Sequence, residues 1–138
     1  MTAAPSNSLF DRVGGMTFFQ RLVEVFYEGV ATDEVLLPLY PEQSDLTGAR
    51  ERLHLFLAQY WGGPTDYMEL RGHPRLRMRH MPFVIGALER DRWLLHMATA
   101  VETVTEDPEI RAELMAYFVP AAEHLRNDTG LPISSPKT

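Results

Sequence analysis

Wherever this chain carries a long apolar run, the apolar residues recur at the period of a helix, and no segment alternates convincingly as a strand. Phe18, Leu22, Phe26 and Val30 stand four apart with Arg21, Glu24 and Glu28 between them, giving one apolar and one charged face. A second stripe, Ala49, Leu53, Phe56, Leu57 and Tyr60, predicts a helix over residues 47–60 that Gly62, Gly63 and Pro64 end. A third, Trp93, Met97, Ala100, Val101 and Val104, predicts a helix over residues 86–105. Asp107, Pro108 and Glu109 read as the N-cap and first two positions of a last helix, with Ile110, Leu114, Tyr117, Phe118, Ala121 and Leu125 on one side. The fold class is all-α.

Local breakers set the remaining boundaries. Gly14 and Gly15 read as a helix stop, and Thr32 followed by Asp33 and Glu34 as a helix start that Pro38 and Pro41 confine to a short turn. After Gly63 only short helical pieces are expected, because Pro74 and Pro82 keep His73 and Met81 out of the helical conformation. Pro120 cannot donate to the carbonyl of Ala116 and predicts a kink. A chain of 138 residues suits one domain, expected over residues 9–126, with flexible extensions at 1–8 and 127–138.

Composition removes several function classes. A net charge of -6 and a pI near 5.3 disfavour binding to nucleic acid or anionic membranes. With no cysteine there are no disulfides, thiolate metal sites or cysteine nucleophiles, which suits a cytoplasmic protein. The N-terminal residues lack the basic start and apolar run of a signal peptide. No apolar stretch approaches the roughly 20 residues that membrane insertion needs.

Five histidines remain as candidates for chemistry: His54, His73, His80, His96 and His124. His54, His96 and His124 lie beside apolar stripes among charged neighbours, where exposure or a half-buried edge explains them, and His73 precedes proline in a loop. His80 differs, because Leu76, Met78, Met81 and Phe83 surround it with apolar side chains and Pro82 fixes the chain after it. A di-iron bundle would need a second Glu-x-x-His element beside Glu51-x-x-His54, and the sequence has none. No nucleophile elbow or phosphate loop is present. One imidazole among apolar residues, close to Arg71, Arg75, Arg77 and Arg79, suits the iron of a haem, with Arg77 or Arg79 meeting its carboxylates. A solvated basic face is the plainer account of the arginines. Such a cofactor also calls for aromatic neighbours, and Phe26, Tyr27, Tyr40, Trp61 and Trp93 are available, each explicable alone as core.

The runs QYWGGPTDYMELRGHPRLRMRHMPF, LFDRVGG, FYEGVATDEVLLPLYPE and LERDRWLLHM resemble the truncated haemoglobins of group II, the O type, of actinobacterial character. The resemblance extends over residues 9–127 and implies a two-over-two helical sandwich around haem b. It implies His80 as the ligand to iron, Tyr27, Tyr40 and Trp93 as distal hydrogen-bonding residues, and Ala49 and Leu53 as lining of the distal pocket. It further implies Arg77, Arg79, Tyr67, Leu76, Met81, Phe83 and Trp61 as cofactor contacts. With Ala49 where many globins place a polar side chain, hydrogen bonds must come from the two tyrosines and the indole.

The function so implied is binding of O2, CO, NO or peroxide with slow oxygen release. Slow release favours redox detoxification, either nitric oxide dioxygenation or peroxidase-like turnover, over delivery. Either reaction needs an external reductase, since no flavin or nicotinamide motif is present. Oxygen storage, transport or sensing without turnover is the alternative. The sequence leaves a homodimer open.

Overall fold

A computed structural model of the chain describes residues 8–40, 45–71 and 85–126. It opens on the short helix α1 (Leu9–Arg12), capped by Ser8, whose hydroxyl accepts from the Asp11 N–H at 3.2 Å. Gly14 and Gly15, with φ of 93° and 97°, then turn the chain into α2 (Met16–Val30). Helix α2 buries Phe19, Leu22, Val23, Phe26, Tyr27 and Val30. Phe18, expected to head this stripe, is only half-buried. A strict four-residue spacing drifts by about 40° per step around a helix of 3.6 residues per turn, so the buried face follows mixed steps of three and four.

Beyond α2 the Asp33 carboxylate accepts from the N–H groups of Val35 at 2.8 Å and Leu36 at 3.2 Å. Asp33, not Thr32, therefore caps the turn, and the Thr32 hydroxyl donates back to the Gly29 carbonyl at 3.3 Å. The short turn of helix expected here is a single 3-10 turn, Leu37–Leu39, as its prolines require.

Helix α3 (Thr47–Tyr60) has the expected bounds and buries Ala49, Phe56, Leu57 and Ala58. Tyr60, expected on that face, is 52% exposed at the helix end. Gly62 turns the chain with φ of 101°, and a Cβ on Gly63 would lie 2.9 Å from the Ala58 carbonyl oxygen, so the stop needs both glycines. A short α4 (Asp66–Arg71) follows. Helix α5 (Ala87–Val104) starts where the Gly86 N–H donates to Glu89 Oε1 at 2.9 Å. Helix α6 (Pro108–His124) starts at Asp107, whose carboxylate accepts from Glu109 N–H at 2.9 Å. It remains helical through Pro120 to His124.

Helix α2 lies against both α3 and α5, and α5 against α6, so two helices face two. Phe19, Leu22, Phe26, Leu57, Met97, Val101, Leu114 and Phe118 fill the space between them. Arg12 and Glu113, paired at 2.7 Å, tie α1 to α6. Among the described residues there is no strand, and no helix is long and apolar enough to cross a membrane.

Candidate functional site

A cavity of about 510 Å3 lies between the layers, and every helix from α2 to α6 contributes to its wall. Tyr27 comes from α2, and Leu36, Leu39 and Tyr40 from the turn after it. Ala49, Arg52, Leu53, Phe56 and Leu57 come from α3, and Tyr67 from α4. Ile85, Glu89, Arg90 and Trp93 come from α5 and its approach, and Tyr117, Phe118, Ala121, Ala122 and Leu125 from α6. The lining is mostly aliphatic and aromatic with a few polar groups, the composition of a small-molecule site.

The polar groups have defined surroundings. The rings of Tyr27 and Tyr40 meet edge to face at 5.6 Å. Burial, reinforced by the neighbouring Tyr40, pushes the Tyr27 phenol well above its usual range, and burial also raises Tyr40. Both are therefore neutral near pH 7 and keep their O–H protons. Trp93 is held edge-on by Phe26 at 5.1 Å and by Phe118 at 5.7 Å. Its indole N–H adds a donor that cannot accept. Tyr117 is pushed up to about 12 by burial and then by Tyr60, so it too is a neutral phenol.

The family model for bacterial-like globins matches residues 8–127. The chain belongs to this family. Group 2 truncated hemoglobin YjbI of Bacillus subtilis is 42% identical over 115 residues, covering 83% of this globin and 86% of the relative. The thermostable hemoglobin from the actinobacterium Thermobifida fusca superposes with a TM-score of 0.85 at 53% identity, over 91% of this chain and 99% of that one. The truncated oxygen-avid haemoglobin from Bacillus subtilis gives a TM-score of 0.81 at 40% identity, over 88% of this chain and 100% of that one. This globin is thus a truncated haemoglobin in fold, and the family implies a haem.

The described residues fit that cofactor. A cavity of about 510 Å3 with an apolar wall lies within the roughly 300–1,000 Å3 range of cofactor and ligand sites. Among the described residues no group of three or more His, Cys, Asp or Glu could hold a bare metal ion. Of the residues expected from the sequence, Tyr27, Tyr40, Ala49, Leu53, Tyr67 and Trp93 are brought together on this one cavity. Trp61 is not on its wall. It stacks on Phe19 at 6.0 Å and meets Tyr117 at 5.1 Å and Phe118 at 5.7 Å, behind two residues that are. His80, Arg77, Arg79, Leu76, Met81 and Phe83, with His73, lie outside the described residues.

Sequence reasoning missed part of the wall. Ala121, Ala122 and Leu125 lie just past Pro120, so the segment after the proline reaches the site although Pro120 itself is exposed. Arg52 and Arg90 place two cations on the wall, and Arg90 also pairs with Asp91 at 3.0 Å and with Glu123. Helical spacing alone gave no sign of either, because both stand among charged residues of an outer face.

A second polar cluster adjoins the cavity. Asp33 is 3% exposed, the sole buried polar or charged residue in the described core. Its carboxylate accepts from Arg92 Nε at 3.0 Å, Arg92 Nη2 at 3.2 Å and His96 Nε2 at 2.6 Å. Burial pushes the carboxyl up, but the hydrogen bonds from Arg92, His96 and the two backbone N–H groups outweigh it and hold Asp33 well below the usual carboxylate range. Ionised Asp33 only accepts, so the proton must sit on His96 Nε2. His96 was expected at an exposed or half-buried edge, and it is half-buried; its partner could not be read from spacing.

Proposed function

We propose that this globin binds haem b and uses it to hold dioxygen and other small diatomic ligands with slow oxygen release, in the service of redox detoxification. The observation that carries the reading is one apolar cavity lined at once by Tyr27, Tyr40 and Trp93. A non-covalent haem suits the chain, since a sequence without cysteine can form no thioether links to the porphyrin. The cofactor supplies an iron that binds gases and changes oxidation state.

The chain's own groups do the rest. His80 would ligate the iron, and Arg77 or Arg79 would meet the propionates. Trp93, Tyr27 and Tyr40 would donate to a ligand that gains negative charge. Donors held in place by the packing around them would stabilise such charge with little reorganisation. Ala49 and Leu53 bring no donor, which leaves the tyrosines and the indole to set selectivity between charged and uncharged ligands. The oxygen-avid character of the Bacillus subtilis relative supports slow release. Nitric oxide dioxygenation or peroxidase-like turnover would draw electrons from a separate reductase.

The absorption spectrum of the purified chain tests this. A Soret band that shifts with carbon monoxide after reduction is expected, and a colourless protein overturns the reading. His80→Gly should lose most of the band and regain it with added imidazole; an unchanged spectrum would assign the iron to another residue.

A further inference from the structure

Trp93 can donate into the cavity only if α5 keeps its rotation and height against the turn that carries Tyr40. Arg92 and His96, four residues apart, share one face of α5, and Trp93 stands between them in sequence on the side that reaches the cavity. Both of those neighbours end on the Asp33 carboxylate. The same carboxylate caps the turn holding Leu36, Leu39 and Tyr40, three lining residues. One buried group therefore fixes two walls relative to each other. Helix α2 closes the cluster from behind, because a Cβ on Gly29 would collide with His96 Nδ1 and stand 2.9 Å from its Cγ. A glycine inside a helix costs stability relative to alanine, and here it makes room for the imidazole.

We propose that Asp33 is a positioning residue for gas binding: through Arg92 and His96 it sets the orientation of Trp93 at the cavity, and with it the discrimination between dioxygen and carbon monoxide. The inference rests on the haem reading above for its gas-binding consequence, whereas the placement of Trp93 stands on the geometry alone. Small misplacements of a group that stabilises charge have large effects on rate, so a residue that touches no ligand can still control it.

The test compares Asp33→Asn and Arg92→Ala with the parent in the full-length protein, and repeats each in a Trp93→Phe background. Arg92 is 41% exposed, so its truncation leaves the core in place if Asp33→Asn fails to fold. The Trp93 indole N–H resonance, assigned by its loss in Trp93→Phe, is followed in the purified protein and in its reduced, carbon monoxide-bound form. Both substitutions should shift that resonance and speed oxygen release roughly three- to tenfold, with carbon monoxide release changing by less than about twofold. Neither should speed oxygen release further once Trp93 is absent, since the coupling runs through that residue. An unmoved resonance, or an equal acceleration in the Trp93→Phe background, overturns the proposal. Absence of a Soret band in the parent would instead sink the function reading, and the resonance of the purified chain would still decide the placement of Trp93.

Discussion

Tyr27, Tyr40 and Trp93 are polar groups placed where apolar side chains would give a simpler core, and the strength of the donors they present depends on charge in the acceptor. Trp93→Phe keeps most of the aromatic bulk between Phe26 and Phe118 while removing the N–H. A hydrogen bond to a charged group contributes roughly 1.5–3 kcal/mol, so oxygen should leave roughly ten to a hundred times faster. Carbon monoxide carries less charge on its outer atom and should respond far less. Stopped-flow dissociation of both gases checks this, and a similar acceleration of both would make Trp93 a space-filling residue only. Asp33 shows the same economy at greater depth: four donor groups satisfy one buried carboxylate, which is what allows a charge to remain ionised there.

Among the elements, α6 is the one whose sequence disagrees with its conformation. Pro120 sits inside a helix that continues to His124, and the side chains just beyond it, Ala121, Ala122 and Leu125, form part of the cavity wall. An interior proline costs a helix about 3 kcal/mol, and its stiffening of the unfolded chain returns about 0.4–1 kcal/mol, so Pro120→Ala should stabilise the protein by roughly 2 kcal/mol. The urea midpoint reads that gain directly. A loss of stability would mean that the wall depends on the direction the proline imparts to the last turn. The caps at three helix starts agree with their elements: at α1, α6 and α5, Ser8, Asp107 and the Glu89 carboxylate each accept from an N–H that the helix cannot satisfy itself.

For the molecule as a whole, a cavity of about 510 Å3 in a 138-residue chain is a large interruption of a small core. Filling it should therefore matter for stability as well as for function. A ligand bound only by the folded state at a thousand times its dissociation constant adds about 4 kcal/mol. Stripping the haem should lower the unfolding temperature by on the order of 10–20 °C, and adding it back should restore the loss. Circular dichroism melts of the two forms measure the difference, and coincident melts would show that the helices close over the cavity unaided.

How much of this was legible in the sequence divides along the range of the interactions. The extents of α3, α5 and α6, the cap at Asp107 and the stops at Gly14 and Gly62 follow from spacing and from residues with one local conformational role, because each such signal acts within a turn or two of the chain. Local signals erred at a few positions: Phe18, put on the stripe by a strict four-residue spacing, lies half-buried, Tyr60 at the end of α3 lies exposed, and Asp33 instead of Thr32 caps its turn. Six of the expected site residues proved to line one cavity, and resemblance of motifs, not periodicity, had singled them out for that role. Two facts belong to the tertiary structure alone. Ala121, Ala122 and Leu125 became wall residues because α6 crosses the cavity at that height, and Asp33 met Arg92 and His96 because α2 and α5 lie side by side. Residues 59 and 63 positions apart carry no local mark of each other, and only the burial of apolar faces between helices brings such charges to hydrogen-bonding distance.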